Sequence, residues 1–166
     1  MVRPRLVLVL GDQLSDGLSA LQAADPARDI VVMAEVAEEA HYVRHHPKKI
    51  VLVLAAMRKF AERLREQGWQ LRYTRLDDNG NSGSVPGELL RRAAACGAQE
   101  VLATRPGEWR LTQALADLPL AVTLLPDDRF LCPAEEFADW AKGRKALRME
   151  HFYRLMRRRT GYLMAG

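Results

Sequence analysis

Cysteine is scarce in this chain: its 166 residues include only Cys96 and Cys132. Two widely spaced thiols are too few for the disulfide framework of a small secreted domain or for a structural metal site, and both read as free. Long apolar runs are also missing. No stretch approaches the ~20 residues needed to cross a bilayer, and the N-terminus MVRPRLVLVLGDQ lacks an apolar segment followed by a small-residue cleavage site. These absences lead us to expect a cytoplasmic chain without a membrane partner. Two phosphate-binding signatures are absent as well, the GxGxxG dinucleotide turn and the GxxxxGK[ST] loop. An ordinary NAD or ATP site is therefore disfavoured.

A uniform excess of basic charge is lacking too. The net charge is +4, but residues 142–159 hold eight basic side chains against Glu150 alone, a local +7, which leaves −3 for the rest. A polyanion contact, if there is one, belongs to the C-terminal end.

What is present is a regular alternation of apolar runs and amphipathic segments in a chain long enough for one compact domain. Leu6–Leu10 and Ile30–Val36 are nearly unbroken aliphatic runs, as expected of strands buried on both faces of a parallel sheet. LSALQAAD between them reads as a short helical crossover. In KKIVLVLAAMRKFAERLREQGW the β-rich start suggests a strand, yet Ile50, Val53, Leu54, Met57, Phe60, Ala61 and Leu64 keep helical spacing and Gly68 sits where a helix should end. One long helix is expected.

Further strands are expected at Leu71–Leu76, Glu100–Thr104 and in AVTLL, separated by helices over GELLRRAAACG and from about Trp109 to Leu118, with two more helices near 133–142 and 146–159. The order predicts an α/β fold: a Rossmann-like, doubly wound, five-stranded parallel sheet with helices on both faces, followed by C-terminal linker helices. The expected division is an α/β domain over 1–140 and a basic helical linker over 141–166. There is no internal repeat and no low-complexity segment.

In such sheets ligands bind beyond the carboxyl ends of the strands, where strand order reverses. That rule selects Gly11, Asp12, Gln13 and Leu14 after strand one, Glu35, Glu38, Glu39 and Tyr42 after strand two, and Arg105 to Trp109 after strand four. A rim of carboxylates, amides and aromatics repels a pyrophosphate and suits a neutral heterocycle offering N–H donors and carbonyl acceptors; Asp12, Gln13 and Glu35 supply the complementary groups. Plainer readings stand beside these. Asp12 and Ser15 either face a ligand or cap the first helix; Glu38 and Glu39 read as a solvated helical face; Tyr42, His45 and His46 read equally as packing residues. His41 and His45 have HxxxH spacing without the glutamate of HExxH, so no metal is expected. No catalytic triad is supported by spacing. In the C-terminal tail, Ala146, Met149, Phe152 or Tyr153, and Met156 form an apolar stripe among arginines.

The segments LGDQLS, AEVAEEAHYVRHHPKKI, AMRKFAERLREQGW, RLDDNGNSGS, PGEWR, DDRFLC and WAKGRKALRMEHFYRLMRRRTGYLM, in this order over nearly the whole chain, closely resemble the N-terminal domain of the deoxyribodipyrimidine photolyase-related proteins, the iron-sulfur bacterial cryptochromes and (6-4) photolyases. Arg105 departs from the family pattern, which reads EPGEWR. The resemblance implies that this domain holds an antenna chromophore, 6,7-dimethyl-8-ribityllumazine, in a pocket drawn from Gly11, Asp12, Gln13, Leu14, Glu35, Val36, Glu39, Tyr42 and His45, with Val53 as an apolar wall. It further implies that FAD and a [4Fe-4S] cluster belong to a C-terminal helical domain absent from these residues, which would be this domain's partner and would act on damaged DNA in the full-length protein. The chain is then a fragment with no catalysis of its own, and its apolar C-terminal stripe, left uncovered, is a possible homodimer contact. Two other classes stay open at this point: a Rossmann-like nucleotide-binding enzyme, and a module binding nucleic acid or a partner through the basic tail.

Overall fold

The computed structural model describes residues 3–41 and 45–164. Contacts divide the chain into Met1–Asp127 and Asp128–Gly166.

The first unit is built on five parallel strands, β1 (Leu6–Leu8), β2 (Ile30–Ala34), β3 (Gln70–Thr74), β4 (Glu100–Thr104) and β5 (Ala121–Leu125), in the order β3-β2-β1-β4-β5. β1 and β2 are apolar throughout because both of their faces are covered. Leu6, Leu8, Ile30 and Val32 face α4 (Val85–Cys96) and α5 (Trp109–Ala116) through Leu89, Ala93, Leu111 and Leu115. Val7, Val31 and Met33 point the other way, onto α1 (Ser19–Gln22) and α3 (Pro47–Glu66) through Leu21, Met57, Phe60 and Leu64. The expected doubly wound sheet is what forms, and β4 and β5 keep their expected bounds.

Three strands stop early: β1 ends at Leu8, β2 at Ala34, and β3 at Thr74, two residues short of the expected Leu76. Val9, Leu10, Glu35 and Val36 remain buried beyond the first two. The aliphatic runs outlast the strands because their last residues turn into the crevice at the strand ends. A short helix, α2 (Ala37–His41), follows β2.

The long α3 forms over the β-rich sequence because its start and stop are fixed chemically. His46 Nδ1 accepts from Lys48 N at 3.2 Å, Pro47 occupies the first turn, and Gly68 just past the end takes φ +89°. Beginning α4, Ser84 Oγ accepts from Gly87 N at 3.1 Å.

The second unit contains α6 (Ala134–Ala141) and α7 (Met149–Thr160). Phe152 packs edge-on against Phe137 with ring centroids 5.1 Å apart and lies 5.0 Å from Trp140. Arg159 pairs with Glu136 across the two helices. Contacts divide after Asp127 and group α6 with α7, which share an aromatic cluster, whereas the sequence places the division at 140/141. Of the two candidates for the stripe, Phe152 enters that cluster while Tyr153 stays 49% exposed beneath the Arg157 guanidinium.

Glu88, buried in the first turn of α4, joins that helix to β3. Its carboxylate accepts from Thr74 Oγ1 at 2.6 Å, Ser82 N at 2.9 Å and Arg91 at 2.5 Å. Burial alone would raise its pKa; the Arg91, Thr74 and Ser82 donors outweigh that and hold it down at about 2, against an ordinary 4.5. A depressed folded-state pKa adds stability above the unfolded value, and that stability is lost as pH falls toward 2. Acidification from about pH 6 to about pH 3 should therefore cost wild type about 2 kcal/mol more than Glu88→Gln, as measured by urea unfolding at both pH values.

Candidate functional site

Strand order reverses beside β1: the chain passes from β1 to β2 on one side, and β4 leads to β5 on the other. At the carboxyl ends of these strands lies a cavity of about 270 Å³. Leu10, Val36, Ile50, Val53, Met57 and Leu111 make its apolar walls; Asp12, Glu39, His45, Lys49 and Glu108 stand as polar groups around it.

Gly11 has a physical reason for lacking a side chain. A Cβ there would stand 3.0 Å from Met57 Sδ and 3.2 Å from Val53 Cγ1. The close approach lets α3 form one wall of the cavity, the wall on which Val53 sits.

The expected residues separate into groups. Gly11, Asp12, Glu35, Val36, Glu39, His45 and Val53 all line the cavity. Tyr42 lies outside the described residues. Gln13 and Leu14 do not line it. The Gln13 amide is fully buried and donates to the Thr104 and Arg105 carbonyls at 3.2 and 3.4 Å, fastening the β1 loop to the end of β4; Leu14 packs with the core on the α3 side. The capping alternative for Asp12 and Ser15 also falls, because α1 begins after Leu18 without a side-chain cap and Ser15 Oγ accepts from Gly17 N at 3.3 Å.

Glu35 reaches the cavity with its carboxylate already engaged. Arg58 grips it through two bonds of 2.6 and 2.8 Å, Tyr73 Oη donates at 2.7 Å, and Leu76 N donates at 3.1 Å. Four donors on two oxygens leave little acceptor capacity for a ligand, so Glu35 builds the site's frame instead of presenting an edge to a heterocycle. Burial would raise its pKa, but Arg58, Tyr73 and Leu76 N–H more than compensate and keep it below the usual carboxylate range. Burial, then the bond to Glu35, pushes the Tyr73 phenol up, so that it remains a donor.

Glu38 and Glu39 are more than a solvated face. Arg110 donates to Glu38 at 3.1 Å, to Glu39 at 2.6 Å and to Glu108 at 3.3 Å. The spacing argument missed Glu88, because the deciding contact, Thr74, lies in another element. Lys49 and Ile50 were also missed, although Ile50 shares a helical face with Val53. Among the described residues there is no group of three or more His, Cys, Asp or Glu side chains able to hold a metal, and no helix is long and apolar enough to cross a membrane.

The chain matches the family model of deoxyribodipyrimidine photo-lyase-related proteins over residues 7–166. It belongs to that family. Among curated relatives, it is 47% identical over 166 residues to a (6-4) photolyase of Agrobacterium fabrum (strain C58), covering 98% of this chain and 33% of that protein. This photolyase-related chain thus spans about a third of the relative's length. A crystal structure from the universal stress protein family of Burkholderia pseudomallei resembles it at TM-score 0.39 and 18% identity, over 73% of this chain and 95% of the other.

The four-donor arrangement on Glu35 predicts a stability role separable from binding. Glu35→Ala should destabilise the domain by about 3 kcal/mol, the lower end of the range for breaking a buried ion pair, since Arg58 can turn to water. Tyr73→Phe should cost about 1 kcal/mol. Urea unfolding of both variants checks the order.

Proposed function

We propose that this photolyase-related chain is a light-harvesting domain whose switch-point cavity binds a flat heterocycle with a polyol tail, 6,7-dimethyl-8-ribityllumazine, as an antenna chromophore. The observation carrying the reading is the cavity itself: apolar lining from Leu10 and Val36 of one core cluster and from Val53, Ile50 and Met57 on α3, with polar groups around them. A planar ring requires such walls, and a ribityl chain requires hydroxyl partners of the kind that Asp12, Glu39, His45, Lys49 and Glu108 provide. Gly11 supports the fit, since a side chain there would collide with the α3 wall.

The donor set argues against a nucleotide. Besides Glu35 and Glu88, which are paired with Arg58 and Arg91, Asp12, Glu39 and Glu108 place three more carboxylates around the cavity, with Lys49 as a lining cation, and this balance disfavours a phosphate chain. When bound, the lumazine would absorb light and pass its excitation to a flavin. This chain's own residues need only hold the ring, exclude water and leave its electronics undisturbed. FAD, an iron-sulfur cluster and action on damaged DNA are proposed for the full-length protein, through a domain beyond these residues; its location in the cytoplasm is part of the same proposal.

Val53→Trp places an indole inside the cavity. Affinity for 6,7-dimethyl-8-ribityllumazine should fall by about 100-fold, consistent with the 1–3 kcal/mol typical of overpacking, while the circular dichroism spectrum stays native. Fluorescence titration of both proteins measures this. Equal affinities would remove the ligand from this cavity.

A further inference from the structure

α2 crosses the rim of the cavity between two fastenings of different chemistry. On the β3 side, Glu38 N donates to Gly83 O at 3.0 Å. The loop carrying Gly83 is itself pinned: Asn81 Nδ2 donates to the Glu35 and Arg75 carbonyls, each at 2.8 Å, and Ser82 N donates to buried Glu88 at 2.9 Å. That side is held by backbone groups and buried carboxylates.

The β4 side is ionic. Arg110, in the first turn of α5, reaches Glu38 and Glu39 on α2 and Glu108 on its own side. Glu39 and Glu108 both line the cavity, and the Arg110 guanidinium that pairs with both offsets the repulsion between these like charges. The side chains are half-exposed: 26% for Arg110, 37% for Glu39 and 46% for Glu38. Ion pairs so exposed are weak and screened by salt, whereas the Gly83 side has no comparable dependence.

We infer that Arg110 is a releasable latch that holds α2 across the mouth of the switch-point cavity, so that opening of this strap controls exchange of whatever the cavity contains. Arg110 is a positioning residue here, acting through Glu38 and Glu39. The consequence for lumazine release rests on the function proposed above; the opening of α2 does not.

The test uses the whole chain and two readouts. Hydrogen exchange of the α2 amides beyond Glu38 should accelerate about fivefold in Arg110→Gln, the scale of a partly exposed ion-pair network, while Glu38 N–H, bonded to Gly83 O, keeps its protection. It should accelerate similarly in wild type at about 1 M salt, where the screening length falls to about 3 Å. The α3 and α4 amides should be unaffected. Arg110→Lys should recover part of the protection, and Glu39→Gln should add little to Arg110→Gln because both break the same bridge. Stopped-flow release of 6,7-dimethyl-8-ribityllumazine should quicken in Arg110→Gln by a similar factor. Unchanged α2 exchange overturns the latch, and so does faster exchange with an unchanged release rate. If the wild-type chain binds no lumazine while α2 exchange responds as described, the latch stands and the chromophore assignment falls.

Discussion

The Glu35 carboxylate, buried where β2 ends, gathers three otherwise separate elements onto one anion: Arg58 from α3, Tyr73 from β3 and the backbone of Leu76 beyond it. An uncompensated carboxylate there would be costly, and satisfying it requires all three elements to meet at one place. The cavity depends on that meeting. Arg58 fixes α3 against the sheet edge, and the same helix offers Val53, Ile50 and Met57 to the cavity; Leu76 and Asn81 fix the loop whose Gly83 carbonyl receives α2.

Glu88 performs a parallel task on the other face of the sheet, tying Thr74 at the end of β3 to the first turn of α4. The two buried carboxylates flank the loop DDNGNSGS and hold both of its ends. A segment whose composition suggests flexibility is thereby made into a rigid support. The more weakly held contact is the part-exposed arginine bridge from α5 to α2. Stiff walls joined to a weakly held strap suit the chromophore-binding role proposed for this cavity.

Much of the fold could be read from residue patterns. The strands β4 and β5 and the long helix α3 follow from aliphatic runs and from the spacing of Val53, Met57, Phe60 and Leu64, because period and burial are local properties. The position of the site followed from topology, since any doubly wound sheet opens at its switch point. Side-chain direction was not legible. Asp12 and Gln13 are adjacent and equally polar, yet Asp12 lines the cavity while the Gln13 amide turns to carbonyls more than ninety residues away. Glu35 reads in the sequence as a ligand acceptor, but its carboxylate is taken up by Arg58, Tyr73 and Leu76 N–H. The pairing of α6 with α7 has no signature in the sequence, as the aromatic contact between Phe137 and Phe152 joins residues with no shared periodicity.

That the switch-point cavity is the chromophore site is tested most directly by titrating 6,7-dimethyl-8-ribityllumazine into the ¹⁵N-labelled chain and following amide shifts. The account predicts that Gly11, Asp12, Val36, Glu39, Val53 and Gly107 shift together along one saturation curve, with Arg5 and Asp29, at the amino-terminal edge of the sheet, unmoved. Saturable shifts centred on Arg5 and Asp29, or no shifts at any ligand concentration, would contradict it.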